Sequence, residues 1–197
     1  MDILFFSENF PPETNAAANR VYERAVYWAG WGHNVTIITG APNFPHGQLF
    51  DGYQNVEHIS NDDLLVTKCD FLIPAAIERV ITKKNADQIK AKIIIEAANH
   101  PVTPEADKIL ESKKIDTYPD TLVNSGGVIV SYFEWIQNLY QHQWEIERVN
   151  SELQKIITKA FANVYDNAKN KNINFRLSAL SLGLDRVIHT ADLRGYV

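Results

Sequence analysis

The opening of the chain reads strand, helix, strand, and that order restricts the fold more than anything else in the sequence. Ile3 to Phe6 is an apolar strand, Ala16 to Trp31 a helix, and Asn34 to Thr39 (NVTIIT) a second strand. In the helix Val21, Ala25, Trp28 and Ala29 fall near helical spacing, the pattern of a face that a helix buries. Gly30 and Gly32 end it. A βαβ opening favours a parallel sheet. The fold class expected is α/β: a three-layer, Rossmann-like, mainly parallel sheet with helices on both faces and a C-terminal helical pair.

Later segments support one sheet. Phe71 to Pro74 is a short apolar strand, and Glu78 to Ile81 begins a polar helical turn. Ile93 to Ile95 is a buried strand with Glu96 at its end. Thr103-Pro104-Glu105 starts a helix: Thr caps, Pro fits the first helical position and Glu complements the dipole. That helix ends around Lys113-Lys114, where cations suit the negative end. Ile115 to Tyr118 is the last strand. Val128 to Tyr140 is apolar on nearly every face and reads as a buried helix. Two stripes at helical spacing follow and read as packing faces: Val149, Leu153, Ile156, Ala160, Val164 and Ala168, then Leu177, Leu180, Leu184, Val187 and Ala191.

Composition excludes several classes. A chain of 197 residues is long enough for one good-sized core. A formal charge of -5 argues against nucleic acid as a partner. No apolar run approaches membrane-spanning length. The start Met1-Asp2-Ile3-Leu4-Phe5-Phe6 is too short and too little basic for a signal peptide. The single cysteine, Cys69, excludes an internal disulfide and fits a reducing, cytoplasmic compartment. It reads as a small core residue at the start of an apolar strand. The six histidines show no ligand spacing, so no metal site is expected.

The most residue-specific stretch is Pro119 to Asn138, PDTLVNSGGVIVSYFEWIQN. The pair Gly126-Gly127 lets a backbone approach a ligand or a packed helix closely, and ligands of open α/β sheets bind beyond the strand ends. Taken alone, the pair reads equally as a tight loop feeding a helix. The stretch resembles the end of the nucleotide-binding domain of the glutamate, leucine, phenylalanine and valine dehydrogenases. Leu64-Leu65 followed by CDFLIPAAIERVIT (Cys69 to Thr82) is similar to that family's strand and cofactor-facing turn, and Asn85-Ala86 with KAKIIIEAANHPVTPEAD (Lys90 to Asp107) to its next strand and loop. The ending Leu193-Arg194-Gly195-Tyr196-Val197 is similar to the family's tail. The resemblance covers about Val56 to Val197.

The resemblance implies NAD or NADP as cofactor. Ala75 and Ala76 would border it, Asn99 would contact the nicotinamide ribose, and Asn124 would bond the carboxamide region. Val128 and Ser131 would line the substrate side chain, and a serine at 131 fits glutamate better than an apolar amino acid. Read locally, Ser131 is equally a helix serine bonded to its own backbone. His100 departs from the family by standing where a small residue, often Gly, is usual. The GxGxxG phosphate cradle is absent: Ser7 to Asn15 stands in its place, with Pro11 and Pro12 removing N–H donors and Glu8 and Glu13 repelling phosphate. The acidic ribose ligand expected after the second strand is missing too, Thr39-Gly40-Ala41 standing there. The family's catalytic lysine and aspartate belong to a separate substrate domain with no counterpart here, so no catalytic residue is expected. Lys83 and Lys84 read as a solvated helix face, and Asp120 as a turn or cap.

A second resemblance lies in the opening. Phe6 to Asn55, with its Phe-Pro-Pro-Glu turn and its Asn43-Phe44-Pro45-His46-Gly47 loop, is similar to the N-terminal segment of glycosyltransferases built from two Rossmann-like domains. Together the two imply a chimera: a single domain over 1–197, glycosyltransferase-like over 1–55 and glutamate-dehydrogenase-like over 56–197, with the seam near Asn55 to Asp62. Four functions follow: a dehydrogenase cofactor domain inert alone; a weak nucleotide-binding or oligomerising module; an engineered or recombined chimera without catalytic role; and, least supported, a transferase. The partners to expect are a nucleotide and, through apolar surface left by a missing substrate domain, a second copy of the chain.

Overall fold

The computed structural model describes residues 1–7, 16–39 and 60–196. The loop Glu8 to Asn15, the Asn43 to Gly47 loop and the seam up to residue 59 lie outside the described residues. Contacts divide the chain into two compact units, Met1–Asp116 and Thr117–Val197.

The first unit is built on parallel strands. β1 (Asp2–Ser7) lies between β2 (Asn34–Thr39) and β3 (Phe71–Pro74), and β3 pairs with β4 (Ile93–Ile95). The sheet order is β2-β1-β3-β4-β5, β5 being Asp116–Tyr118. Successive strand side chains point to opposite faces, and both faces are apolar. Ile3, Phe5 and Ile73 pack with Val21 and Trp28 of α1 (Ala16–Gly30), the Phe5 and Trp28 rings meeting edge to face at 5.5 Å. Leu4, Leu72 and Ile94 face the other way, into a cluster with Leu64 and Leu65 of α2 (Asn61–Leu65) and Ala106 and Leu110 of α3 (Pro104–Ser112). Helix, sheet and helix make the three layers expected. α1 stops where Gly32 takes a φ of 82°, open to glycine at no steric cost.

α3 begins as its sequence prescribes: Thr103 Oγ1 accepts from Ala106 N, with Pro104 in the first turn. It ends at Lys113, whose Nζ donates to the carbonyls of Asp87 and Ile89 and so holds a single 3-10 turn, Ala86–Gln88. Cys69 is buried in the α3-side cluster. Three local expectations are corrected. Leu64-Leu65 closes a short helix. Glu78 to Ile81 is no helical turn: Arg79 sits at φ 55° and Ile81 forms an isolated parallel bridge to Val102. Lys83 and Lys84 are exposed on a turn, not on a helix.

The second unit holds α4 (Asp120–Val123), α5 (Gly126–Tyr140), α6 (Ile146–Lys171) and α7 (Phe175–Leu193). Leu122, Val164, Ala168 and Phe175 form its core, with Tyr118 and Leu182 packed against them. Tyr118 stacks on Phe175 at 4.6 Å and on Phe161 at 5.8 Å. Between α6 and α7 Asn172 adopts the left-handed conformation that ends a helix, and Asn174 caps the next by accepting from Leu177 N at 2.8 Å.

The α6 stripe is an inward face at its C-terminal end, where Val164 and Ala168 are buried. Two other faces differ from expectation. α5 is a helix as its length requires, but among its residues Phe133 alone is buried, and Val128 and Trp135 are 69% and 56% exposed. On α7 the inward face is Phe175, Ser178, Ala179 and Leu182, whereas Leu177, Leu180, Leu184 and Val187 are exposed. Ser178 Oγ explains that rotation: it donates to the Val164 carbonyl at 2.8 Å and accepts from Asn167 at 2.9 Å. A polar pair of hydrogen bonds, invisible to an apolar pattern, sets which face meets α6.

Candidate functional site at the carboxyl edge of the sheet

The strand order reverses direction around β1, with β2 on one side and β3 on the other, and the carboxyl ends flanking such a switch point are where open α/β sheets hold ligands. Among the described residues, two loops leave that edge in the first unit. One follows β3 and runs through Ala75 and Ala76 to Ile81. The other follows β4 and runs from Glu96 through Asn99 to Val102.

Backbone hydrogen bonds lace the two together. The N–H groups of Ala97 and Ala98 both donate to the Pro74 carbonyl, at 3.1 and 2.8 Å. Further out Arg79 N donates to the His100 carbonyl, Ile81 N to Pro101, and Thr103 N back to Ile81, each at 2.9 Å. The lacing continues into a side chain: Asn85 Oδ1 accepts from Thr82 N and Asn85 Nδ2 donates to the Val80 carbonyl, both at 2.8 Å. Ile81 and Val102 are almost wholly buried beneath. A loop pair fastened in this way is pre-organised, and order already present need not be created on binding.

Ala75 and Ala76 are half-buried directly beyond β3, and each carries only a methyl group. Asn99 is exposed at the outer bend of the other loop. His100 beside it sits at φ 51°, in the left-handed region, which accounts for the glycine usual there. Its ring is exposed. Ala75, Ala76 and Asn99 are thus brought to one laced edge.

The opposite edge is built for holding the strands. Asp70, before β3, accepts from Asp2 N at 2.9 Å and pairs with Lys92 at 2.6 Å. Asn34 donates to Asp2 Oδ1 at 3.1 Å. The Lys92 hydrogen bond, then that from Asp2 N, holds the Asp70 carboxyl below its usual range, and the same partner raises Lys92. Burial, with Asp70 and Asp2 nearby, pushes the Cys69 thiol up to about 11, the opposite of an activated nucleophile.

In the second unit Asn124 is half-buried and closes α4, its N–H donating to the Asp120 carbonyl at 2.9 Å. Val128 and Ser131 lie exposed on α5. Asp120 is buried; its Oδ1 accepts from Thr121 N at 2.7 Å and stands 3.9 Å from an Arg176 nitrogen of α7. Reading Asp120 as a local cap missed that partner. The available signal was an arginine next to the first buried residue of a largely apolar final helix. Among the described residues no group of three His, Cys, Asp or Glu could hold a metal ion, and no helix is long and apolar enough to cross a membrane.

Residues 41–195 match the Glutamate/Leucine/Phenylalanine/Valine dehydrogenase family. The chain belongs to that family. The match begins at Ala41, so it takes in part of the opening expected to be glycosyltransferase-like and starts before the seam expected near Asn55 to Asp62. Solved structures agree. A glutamate dehydrogenase from Peptoniphilus asaccharolyticus is 30% identical, with a TM-score of 0.74 over 100% of this chain and 48% of that one. The hetero-hexameric glutamate dehydrogenase of Thermus thermophilus, in a leucine-bound form, is 23% identical, with a TM-score of 0.79 over 98% of this chain and 47% of that one. L-tryptophan dehydrogenase from Nostoc punctiforme is 18% identical, with a TM-score of 0.71 over 98% of this chain and 52% of that one. The last two likenesses show the fold alone. The chain spans about half the length of these dehydrogenases.

Proposed function

We propose that this chain is the cofactor-binding half of an NAD(P)-dependent amino acid dehydrogenase, with glutamate as the substrate class, and that it is inert until a substrate-binding half is supplied. The observation that carries the reading is the family match over residues 41–195 together with the laced loop pair at the sheet's carboxyl edge. When bound, the nicotinamide would accept or return the hydride of an amino acid's α-carbon.

The residues have chemistry suited to such a ligand. Ala75 and Ala76 let a flat ring approach the end of β3. Asn99 offers an amide donor and an amide acceptor to a ribose hydroxyl, and Asn124 offers the same pair to a carboxamide. Val128 would meet the substrate's methylenes and Ser131 its distal carboxylate. No lysine or aspartate among the described residues is assigned to proton transfer. The proline- and glutamate-bearing segment in place of a glycine cradle makes for weak nucleotide affinity, whether for NAD or NADP.

Calorimetric titration with NADH tests this. Saturable but weak binding, weakened further by Asn124→Ala, is the expected result. Micromolar or tighter binding would overturn the weak-affinity part. A folded chain that binds nothing at millimolar NADH would overturn the cofactor reading and favour the alternative, a recombined chain without catalytic role, for which the glycosyltransferase-like motifs between Phe6 and Asn55 speak. A natural genome carrying the whole chain would sink that alternative.

A further inference from the structure

The second unit holds an ion pair, largely withdrawn from water, that the cofactor reading does not use. Asp120 opens α4 with a side chain 11% exposed, and Arg176 lies in the first turn of α7 with a side chain 19% exposed. A guanidinium nitrogen of Arg176 stands 3.9 Å from Asp120 Oδ1, within ion-pair reach but beyond a hydrogen bond. The same Oδ1 accepts from Thr121 N at 2.7 Å. Arg176 is launched from a fixed place. Phe175 before it is buried and stacks on Tyr118, and Ser178 after it donates to the Val164 carbonyl. Asn174 caps that same turn.

We infer that Arg176 is a positioning residue: through Asp120 it holds α4, and so sets where Asn124 presents its amide. The inference rests on the reading above, in which Asn124 meets the carboxamide of the cofactor. Length is the first argument. α4 has four residues, Asp120–Val123, and so short a helix does not keep its direction unaided. It is held by what it touches, Leu122 in the core and Asp120 at Arg176. Spacing is the second. Asn124 follows Asp120 by about one helical turn, and its N–H closes that turn on the Asp120 carbonyl at 2.9 Å. A displacement of Asp120 is thereby passed on to Asn124.

Energetics is the third. Exchanging a buried ion pair for apolar side chains is often neutral or stabilising, whereas removing one partner leaves the other's charge buried and uncompensated. Stability alone therefore gives little reason for such a pair, and a fixed geometry gives a better one. The pair falls on the shortest helix of the unit, and that helix leads directly into Asn124. An amide moved by about 1 Å loses much of its hold on a ligand group. Arg176 acts at a distance in this scheme: it touches Asp120, and only Asn124 reaches the ligand.

Titration with NADH and, beside it, with ADP-ribose, which lacks the nicotinamide, tests the inference. Arg176→Met is expected to weaken NADH binding by about threefold to tenfold, the loss of roughly one hydrogen bond, and to leave ADP-ribose binding unchanged. Arg176→Lys, which restores the charge, is expected to recover part of the loss. Asp120→Asn keeps an acceptor for Thr121 N and removes the charge that Arg176 faces, so it reads the same link if Arg176→Met fails to fold. Added to Asn124→Ala, Arg176→Met is expected to cost nothing further. Hydrogen exchange reads the link without any ligand: the Asn124 N–H is expected to exchange several-fold faster in Arg176→Met, with α6 unchanged. NADH binding indifferent to these variants overturns the inference, as does equal weakening of NADH and ADP-ribose, an additive loss in the double variant, or unchanged exchange at Asn124. A folded parent chain that binds no NADH overturns the cofactor reading instead. Asn124 exchange then decides the link by itself, faster exchange upholding the hold of Arg176 on α4 and unchanged exchange overturning it.

Discussion

Asn85→Ala removes the side chain that holds the β3 loop against itself. Asn85 makes two hydrogen bonds of 2.8 Å, accepting from Thr82 N and donating to the Val80 carbonyl. Both partners flank Ile81, whose N–H and carbonyl lace to Pro101 and Thr103. A typical internal hydrogen bond contributes about 1 kcal/mol net, and a half-buried group left unpaired costs somewhat more. Both partners are partly buried here, so the expected loss is about 2–3 kcal/mol. Urea denaturation reads it directly. With a slope of about 2 kcal/mol per molar for a domain of this class, the midpoint falls by about 1 M with the slope unchanged. Asn85→Asp separates the two bonds: the ionised carboxylate still accepts from Thr82 N but faces the Val80 carbonyl with no donor. It is expected to cost more at neutral pH than at acid pH, where a protonated carboxyl supplies the O–H. A midpoint within a few tenths molar of the parent for Asn85→Ala would refute the claim that this side chain fastens the loop.

Two further predictions rest on the ionisable groups beneath the sheet. The folded-state pKa of Asp70 is depressed, so its stabilising contribution is complete above the unfolded value of about 3.9 and is lost as pH falls through the folded value. Asp70→Asn should therefore lower the urea midpoint at neutral pH and flatten the acid loss that the parent shows below about pH 4; parallel acid profiles would contradict it. Cys69, with its thiol pushed up to about 11, should resist a disulfide reagent at pH 8 in the folded chain and react fully in urea. Rapid labelling of the native chain would show that the α3-side cluster is open.

What the sequence made legible was local. The continuous apolar run Ile3 to Phe6 gives a strand because both sheet faces are apolar, and the Thr103-Pro104-Glu105 run starts α3 because each residue answers an unpaired N–H or a dipole within one turn. Glu78 to Ile81 was misread for the complementary reason. Its conformation is fixed by partners at His100, Pro101 and Thr103, some twenty residues away, and no local pattern carries that information. The candidate site divides the same way. Motif resemblance placed Ala75, Ala76 and Asn99 on the two loops leaving β3 and β4. It could not show that those loops are laced, nor that Asp120 has Arg176 beside it.

The apolar stripes of α5 and α7 fail differently, and the failure is informative. Hydrophobic periodicity reports that a face needs cover; it does not report which molecule provides it. Phe133, Val164, Ala168 and Phe175 find their cover within the second unit, whereas Val128, Tyr132, Trp135 and Leu139 do not. A helix with one charged residue in fifteen has the composition of an interior element, yet here it presents its aromatic side to water. The chain spans about half the length of the dehydrogenases it resembles, so the expectation of burial came from a pattern suited to a larger body. Water-exposed aromatic surface of this extent is costly, and either a second copy or the other half of a dehydrogenase relieves the cost.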